Sequence, residues 1–108
     1  MIPIPLVDEN DFLLEATLED VTYFLHFSWN SEARFWVLGL RNANSDVLVQ
    51  GVVMAPNVAL LTYYRAYGLP PGEFVAYAED LSAPLDRYSF RDGRAVLYYM
   101  SEAEYASL

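Results

Sequence analysis

HFSWNSEARFWVLGL, residues 26–40, is the stretch on which the fold turns. Counting back from Trp29, the odd positions Phe27, Leu25, Tyr23 and Val21 are apolar, while Ser28, His26 and Thr22 share the even side with Phe24. A period of two is the pattern of a strand with one buried face. Past a polar stretch, Trp36, Leu38 and Leu40 resume the alternation. Asn30 and Ser31 are residue types whose side chains hydrogen-bond the backbone of turns. A loop over residues 30–33 pairs Trp29 with Arg34, Phe27 with Trp36, Leu25 with Leu38 and Tyr23 with Leu40. Thr22 then faces Arg41, and His26 faces Val37, on the outer side. A slip of one residue would turn the whole apolar set to solvent, so the register is read as well specified. The tryptophans are thereby read as structural: Phe27 and Trp36 as a cross-strand aromatic pair, and Trp29, at the strand end, as the less buried of the two indoles.

The pattern extends in both directions. Upstream, a two-residue turn at Glu19 and Asp20 sets Leu18 against Val21, Ala16 against Tyr23, Leu14 against Leu25 and Phe12 against Phe27, with every apolar residue on one face. Downstream, a turn over Asn42 to Asp46 leads into VLVQGVV, with Val47, Val49 and Gly51 expected on the core side and Gly51 leaving room for the Trp36 indole. Leu60, Leu61 and Tyr64 share one helical face, so residues 57–66 are expected as a short helix or two turns, closed by Gly68, Pro70, Pro71 and Gly72. GEFVAYAED and RAVLYYM are further strands, separated by the loop LSAPLDRYSFRDG. Ser101 and Glu104 stand at capping-box spacing, with Met100 and Tyr105 placed as a hydrophobic staple, and predict a short C-terminal helix. The expected fold is mainly β: a small antiparallel sandwich or partly closed barrel of six or seven strands, with short central and C-terminal helices.

Composition narrows what such a fold can do. The 108 residues, 55% of them hydrophobic, suffice for one core, so residues 1–108 are read as a single domain. The net charge is −9, and all six basic residues are arginines scattered along the chain. That argues against nucleic-acid binding, which needs a basic patch to neutralise phosphates. There is no cysteine, which removes disulfides, thiolate catalysis and cysteine metal sites. MIPIPLVDENDF lacks the marks of a signal peptide and no apolar run is long enough to span a bilayer, so the chain is read as soluble and kept in a cytoplasm.

Chemistry is hard to find. His26, the only histidine, lies on an outer strand face. Neither Asp8, Glu9 and Asp11 nor Glu79 and Asp80 comes with the glycine-bearing loop of a calcium site. No serine stands in a nucleophile elbow or beside a candidate base. Catalytic residues, metal and cofactor are all read as none.

At this point the residues reach a resemblance. Trp29 and Asn30 at a strand end, Trp36, Gly51, Pro56, Leu60 and Leu61, Tyr64 and Arg65, the Gly68–Gly72 run GLPPG, and Val96–Met100 follow in an order similar to the small baseplate plug proteins of contractile-tailed bacteriophages, as in simple cyanophage baseplates. The likeness spans nearly the whole chain. It departs at Glu19–Asp20, where such proteins often show Asp-Gly, and in the abundance of acidic residues. The resemblance implies a virion structural protein of the tail baseplate, resident in the host cytoplasm before assembly, with tail tube, hub or other baseplate proteins as neighbours and no catalysis. It is compatible with a homo-oligomer in the particle and implies no membrane contact.

Nine tyrosines with arginine as the only base suit a protein interface, where rigid aromatics and planar guanidinium groups are enriched. Tyr63, Tyr64, Arg65 and Tyr67, followed by Leu69, Pro70 and Pro71, form the densest such segment and are the candidate contact residues. Against that reading, Tyr64 could pack in the core with its neighbours as amphipathic cover. A small all-β module that binds a peptide or other ligand is the alternative function.

Overall fold

The structure is a computed structural model and describes residues 1–65, 68–80 and 85–107. Glu19 and Asp20 both adopt left-handed backbone, with φ of 50° and 68°. Two such residues in succession make the tight turn whose twist matches that of paired strands. It joins β2 (Asp11–Leu18) to β3 (Val21–Asn30) in the expected register, from Leu18 opposite Val21 to Phe12 opposite Phe27. β4 (Phe35–Asn42) and β5 (Val47–Val53) complete a four-stranded meander in the order β2-β3-β4-β5. A second sheet, in the order β1-β7-β6, consists of β1 (Ile2–Ile4), β7 (Ala95–Met100) and β6 (Glu73–Ala78). All strand pairs are antiparallel. One core lies between the sheets: Leu25, Phe27, Leu38 and Leu40 come from the first, and Phe74, Ala76, Leu97 and Tyr99 from the second. The architecture is therefore a two-sheet sandwich and not a closed barrel.

Three details differ from the sequence-based expectation. In the second hairpin Trp29 pairs with Trp36, Phe27 with Leu38 and Leu25 with Leu40, two residues away from the expected register. The loop is residues 31–34. Arg34 takes φ 61° and donates its N–H to the Asn30 carbonyl at 2.7 Å, while Asn30 Oδ1 accepts the N–H groups of Glu32 and Ala33. A slip of two preserves the faces, so the buried set is as expected although its partners are not.

In β5, Leu40 faces Val49 and Leu38 faces Val52, so Gln50 and Gly51 together oppose Gly39. This is a β-bulge, and Gly51 at φ 79° occupies it. The extra residue reverses the phase. Val52 and Met54 become core and Gly51 does not face Trp36, while Val49, before the bulge, packs on the core side as expected and a second register shift beside Arg41 leaves Val47 exposed.

The central helix is absent among the described residues. Leu60 and Leu61 are buried, but residues 57–64 run as turns and bridges. Asn57 at φ 60° starts them, its N–H donating to the Ala76 carbonyl and its Oδ1 accepting the Ala78 N–H. The segment is thus tied to β6 by main-chain bonds that a helix would have kept for itself. The C-terminal helix α1 (Glu102–Ala106) forms as expected, with the reciprocal capping box between Ser101 and Glu104.

Candidate docking surface

The candidate segment is built around a buried carboxylate. Glu73, at the start of β6, is 4% exposed. Its Oε1 accepts the Leu61 N–H at 2.8 Å, and its Oε2 accepts the Thr62 hydroxyl at 3.1 Å and Arg65 Nη2 at 2.8 Å. Arg65 also donates to the carbonyls of Pro70 at 2.7 Å and Gly72 at 2.6 Å. A buried charge is tolerated only when paired and hydrogen-bonded, and Glu73 meets both conditions. The pair closes the loop from Arg65 to Glu73 like a clasp.

A second anchor lies beneath it. The Gly72 N–H donates to the Tyr99 hydroxyl at 2.9 Å, and that hydroxyl donates to the Glu19 carboxylate. Burial, and then Glu19, push the Tyr99 phenol well above its ordinary pKa, so it stays a neutral donor.

The candidate contact residues divide accordingly. Tyr63 is 92% exposed, and Tyr64 and Pro71 are also exposed. Arg65 is turned back onto its own loop, Leu69 packs against the core, and Pro70 is buried. Tyr67 lies outside the described residues. Glu73 escaped the sequence reading; the available signal was a carboxylate opening an apolar strand, EFVAYA, eight positions after an arginine.

At the opposite end of the sandwich, residues 85–94 cover Trp36. The indole Nε1 donates to the Asp86 carbonyl at 3.3 Å, and Trp29 and Phe90 meet the ring edge-on. The Arg87 guanidinium lies 5.3 Å from the Trp36 ring centre while bonding Asn10 and Asp8. Arg94 grips Asp86 with two 3.0 Å bonds and, with the Tyr88 N–H, holds that carboxyl below its ordinary pKa. Beside this lid runs a groove of about 360 Å³ whose lining includes Trp29, Arg34, Leu85, Arg87 and Tyr88. His26 is bonded to Asp11 at 2.8 Å on the outer face, and among the described residues no cluster of three His, Asp or Glu could hold a metal ion.

The family described as cyanophage baseplate Pam3 plug gp18 matches residues 1–102. The chain belongs to this family. It is thus related to structural components of a phage tail baseplate, and no curated protein matches it. Most of the residues that carry the likeness serve the fold, while Tyr64 among them is exposed. Asn30 caps the hairpin loop, Trp36 fills the core, Gly51 sits in the bulge and Pro56 bridges to Ala76. Arg65 and Gly72 make the clasp, and residues 96–100 lie in β7. Tyr63, the most exposed large hydrophobic side chain among the described residues, is not one of them.

Proposed function

We propose that the chain works without catalysis, folding in the host cytoplasm and docking into the tail baseplate through the loop of residues 63–72 against hub or tail tube protein. The family match over residues 1–102 carries the reading. The loop supports it: Tyr63 and Tyr64 are held outward by a segment pinned by Arg65 and Glu73 and stiffened by Pro70 and Pro71. A preorganised aromatic patch loses little conformational entropy when it docks. The net charge of −9 favours solubility of the unassembled subunit and repels DNA.

Replacing Tyr63 and Tyr64 together by alanine is expected to weaken binding to purified hub or tube protein by about tenfold or more, the loss typical of truncated aromatic anchors. The unfolding midpoint should stay close to that of the parent, since neither side chain is buried. Arg65→Ala serves as contrast, because it should lower the midpoint as well as the affinity. Unchanged binding in the double variant would move the contact to the outer face of the first hairpin, around Leu13, Phe24 and His26. The groove beside Trp29 and Arg34 is the observation that favours a peptide-binding module instead. Failure of the parent chain to bind any tail protein would support that alternative.

A further inference from the structure

A bare sheet edge is a template for another strand, and stable proteins blunt such edges. Three of the four edges here are blunted. β1 is three residues long and contains Pro3, with Pro5 just beyond it. β5 is interrupted by two register shifts against β4. β6 is covered by the preceding segment, since Asn57 donates to the Ala76 carbonyl at 2.8 Å and Leu60 to the Phe74 carbonyl at 3.0 Å.

β2 has none of these devices. Its eight residues, DFLLEATL, pair with β3 without a shift and include neither proline nor glycine. The two-residue turn makes Leu18 and Val21 a hydrogen-bonded pair. Bonded and non-bonded pairs alternate along an antiparallel ladder. Phe12, Leu14, Ala16 and Leu18 therefore commit their main-chain groups to β3, while Asp11, Leu13, Glu15 and Thr17 point theirs away from the sheet. All four of the latter are exposed, and among the described residues none of their main-chain groups has a partner. On the inner face Phe12, Leu14 and Ala16 pack against the core but are only partly buried, so the apolar layer reaches the open edge.

The sequence of β2 selects its own partner. A ladder needs free groups opposite free groups, which restricts antiparallel self-pairing to registers centred on a residue. Centring on Leu13 sets Asp11 against Glu15 of the second copy, and centring on Glu15 sets the two Glu15 carboxylates against each other. Like charges directly opposite are destabilising. Centring on Leu14 places Leu13 against Glu15 and Asp11 against Thr17, with no carboxylate facing another. On the inner face Leu14 then meets Leu14 of the second copy and Phe12 meets Ala16, which continues the apolar layer across the junction. We propose that β2 pairs with β2 of a second copy in this register, joining two four-stranded sheets into one of eight strands about a two-fold axis.

Two copies of net charge −9 repel, and salt screens that repulsion, so this dimer tightens as ionic strength rises. A contact along one strand is smaller than a standard interface, so the free dimer dissociates on dilution. Sedimentation equilibrium of the full chain should show the 12.3 kDa monomer giving way to a species of twice that mass as concentration and salt increase. The register has a sharper test, because the natural chain contains no cysteine. Under mild oxidation Leu14→Cys should become a disulfide-linked dimer, whereas Ala16→Cys, whose copies would lie well apart, should remain monomeric. Leu13→Pro, which removes an outward N–H from an edge strand, should leave the fold intact and abolish association. Cross-linking of Leu14→Cys no greater than that of Ala16→Cys, or a monomer at every concentration and salt, would overturn the proposal and leave the edge for a strand of another baseplate protein.

Discussion

Gly72→Ala is expected to cost about 3 kcal/mol or more of folding stability, at the severe end for overpacking one methyl group. The reason is where that methyl would go. A Cβ on Gly72 overlaps the main-chain carbonyl oxygen of Met100 and comes within 2.6 Å of the Tyr99 hydroxyl oxygen and 2.8 Å of its ring. Met100 pairs with Glu73 in the β6–β7 ladder, so its carbonyl cannot move without parting the strands. Parting them withdraws Glu73 from Leu61, Thr62 and Arg65 and takes the Gly72 carbonyl from the Arg65 guanidinium. One added carbon thus opens the clasp and leaves a carboxylate short of partners in the core. Gly93→Ala is the matched control. Gly93 has φ 77° but no atom within 4 Å of its would-be Cβ, so only backbone strain of about 1–2 kcal/mol is incurred. Urea unfolding of the two variants separates the effects: the Gly72 midpoint should fall well below that of Gly93. Equal midpoints would mean that strand β6 gives way easily and that the clasp contributes little.

How far the fold could be read from the chain depended on how tightly each turn was constrained. Between Leu18 and Val21 only two residues are available, so a single register satisfies the alternation, and it is the one observed. Between Trp29 and Phe35 the polar stretch is longer, and two loops of equal length place the same residues inside. The choice falls to Arg34, which adopts a left-handed conformation at an energetic cost that sequence pattern does not reveal. The phase of β5 was lost at Gly51 for a related reason. A glycine in a strand signals either close approach or a bulge, and only the bulge reverses the faces that follow. For residues 57–64 the apolar spacing of Leu60 and Leu61 leaves a short helix and two turns equally open, and the turns prevail because the main-chain bonds from Asn57 and Leu60 to β6 are long-range and leave no local period.

The candidate surface was legible only in outline. Arg65 belongs to a cluster whose composition suits an interface, yet its guanidinium is engaged by Pro70, Gly72 and Glu73. Composition cannot distinguish an arginine that reaches a partner from one that holds the loop presenting its neighbours. The likeness to baseplate plug proteins has the same character. It rests largely on residues that turn, bridge, bulge and clasp, so it reports a shared way of folding, and the exposed Tyr63 and Tyr64 add support to the proposal of docking.

The second large effect is expected at Trp36. This indole is 1% exposed and meets Trp29 at 5.6 Å between ring centres, Phe12 at 6.2 Å and Phe90 at 6.5 Å, each edge-on. Trp36→Ala should therefore lose about 3–5 kcal/mol, the range for truncating a buried aromatic. Trp29→Ala should lose less, because Trp29 is only partly buried and its place in the ladder pairs it with Trp36 alone among the aromatics. Trp36 also anchors residues 85–94 through the bond from Nε1 to Asp86 and the Arg87 guanidinium over its ring. Trp36→Phe separates the two roles, since it retains an apolar ring while removing the N–H donor. Its midpoint in denaturant should fall between those of the parent and Trp36→Ala, and proteolysis within the lid should accelerate in both variants. Small, equal losses for Trp36→Ala and Trp29→Ala would place the two indoles at the surface together and turn the end of the sandwich beneath the lid into a contact site. A large loss at Trp36 with an intact lid would instead show that residues 85–94 are held by Arg94, Asp86 and Asp8 without help from the indole.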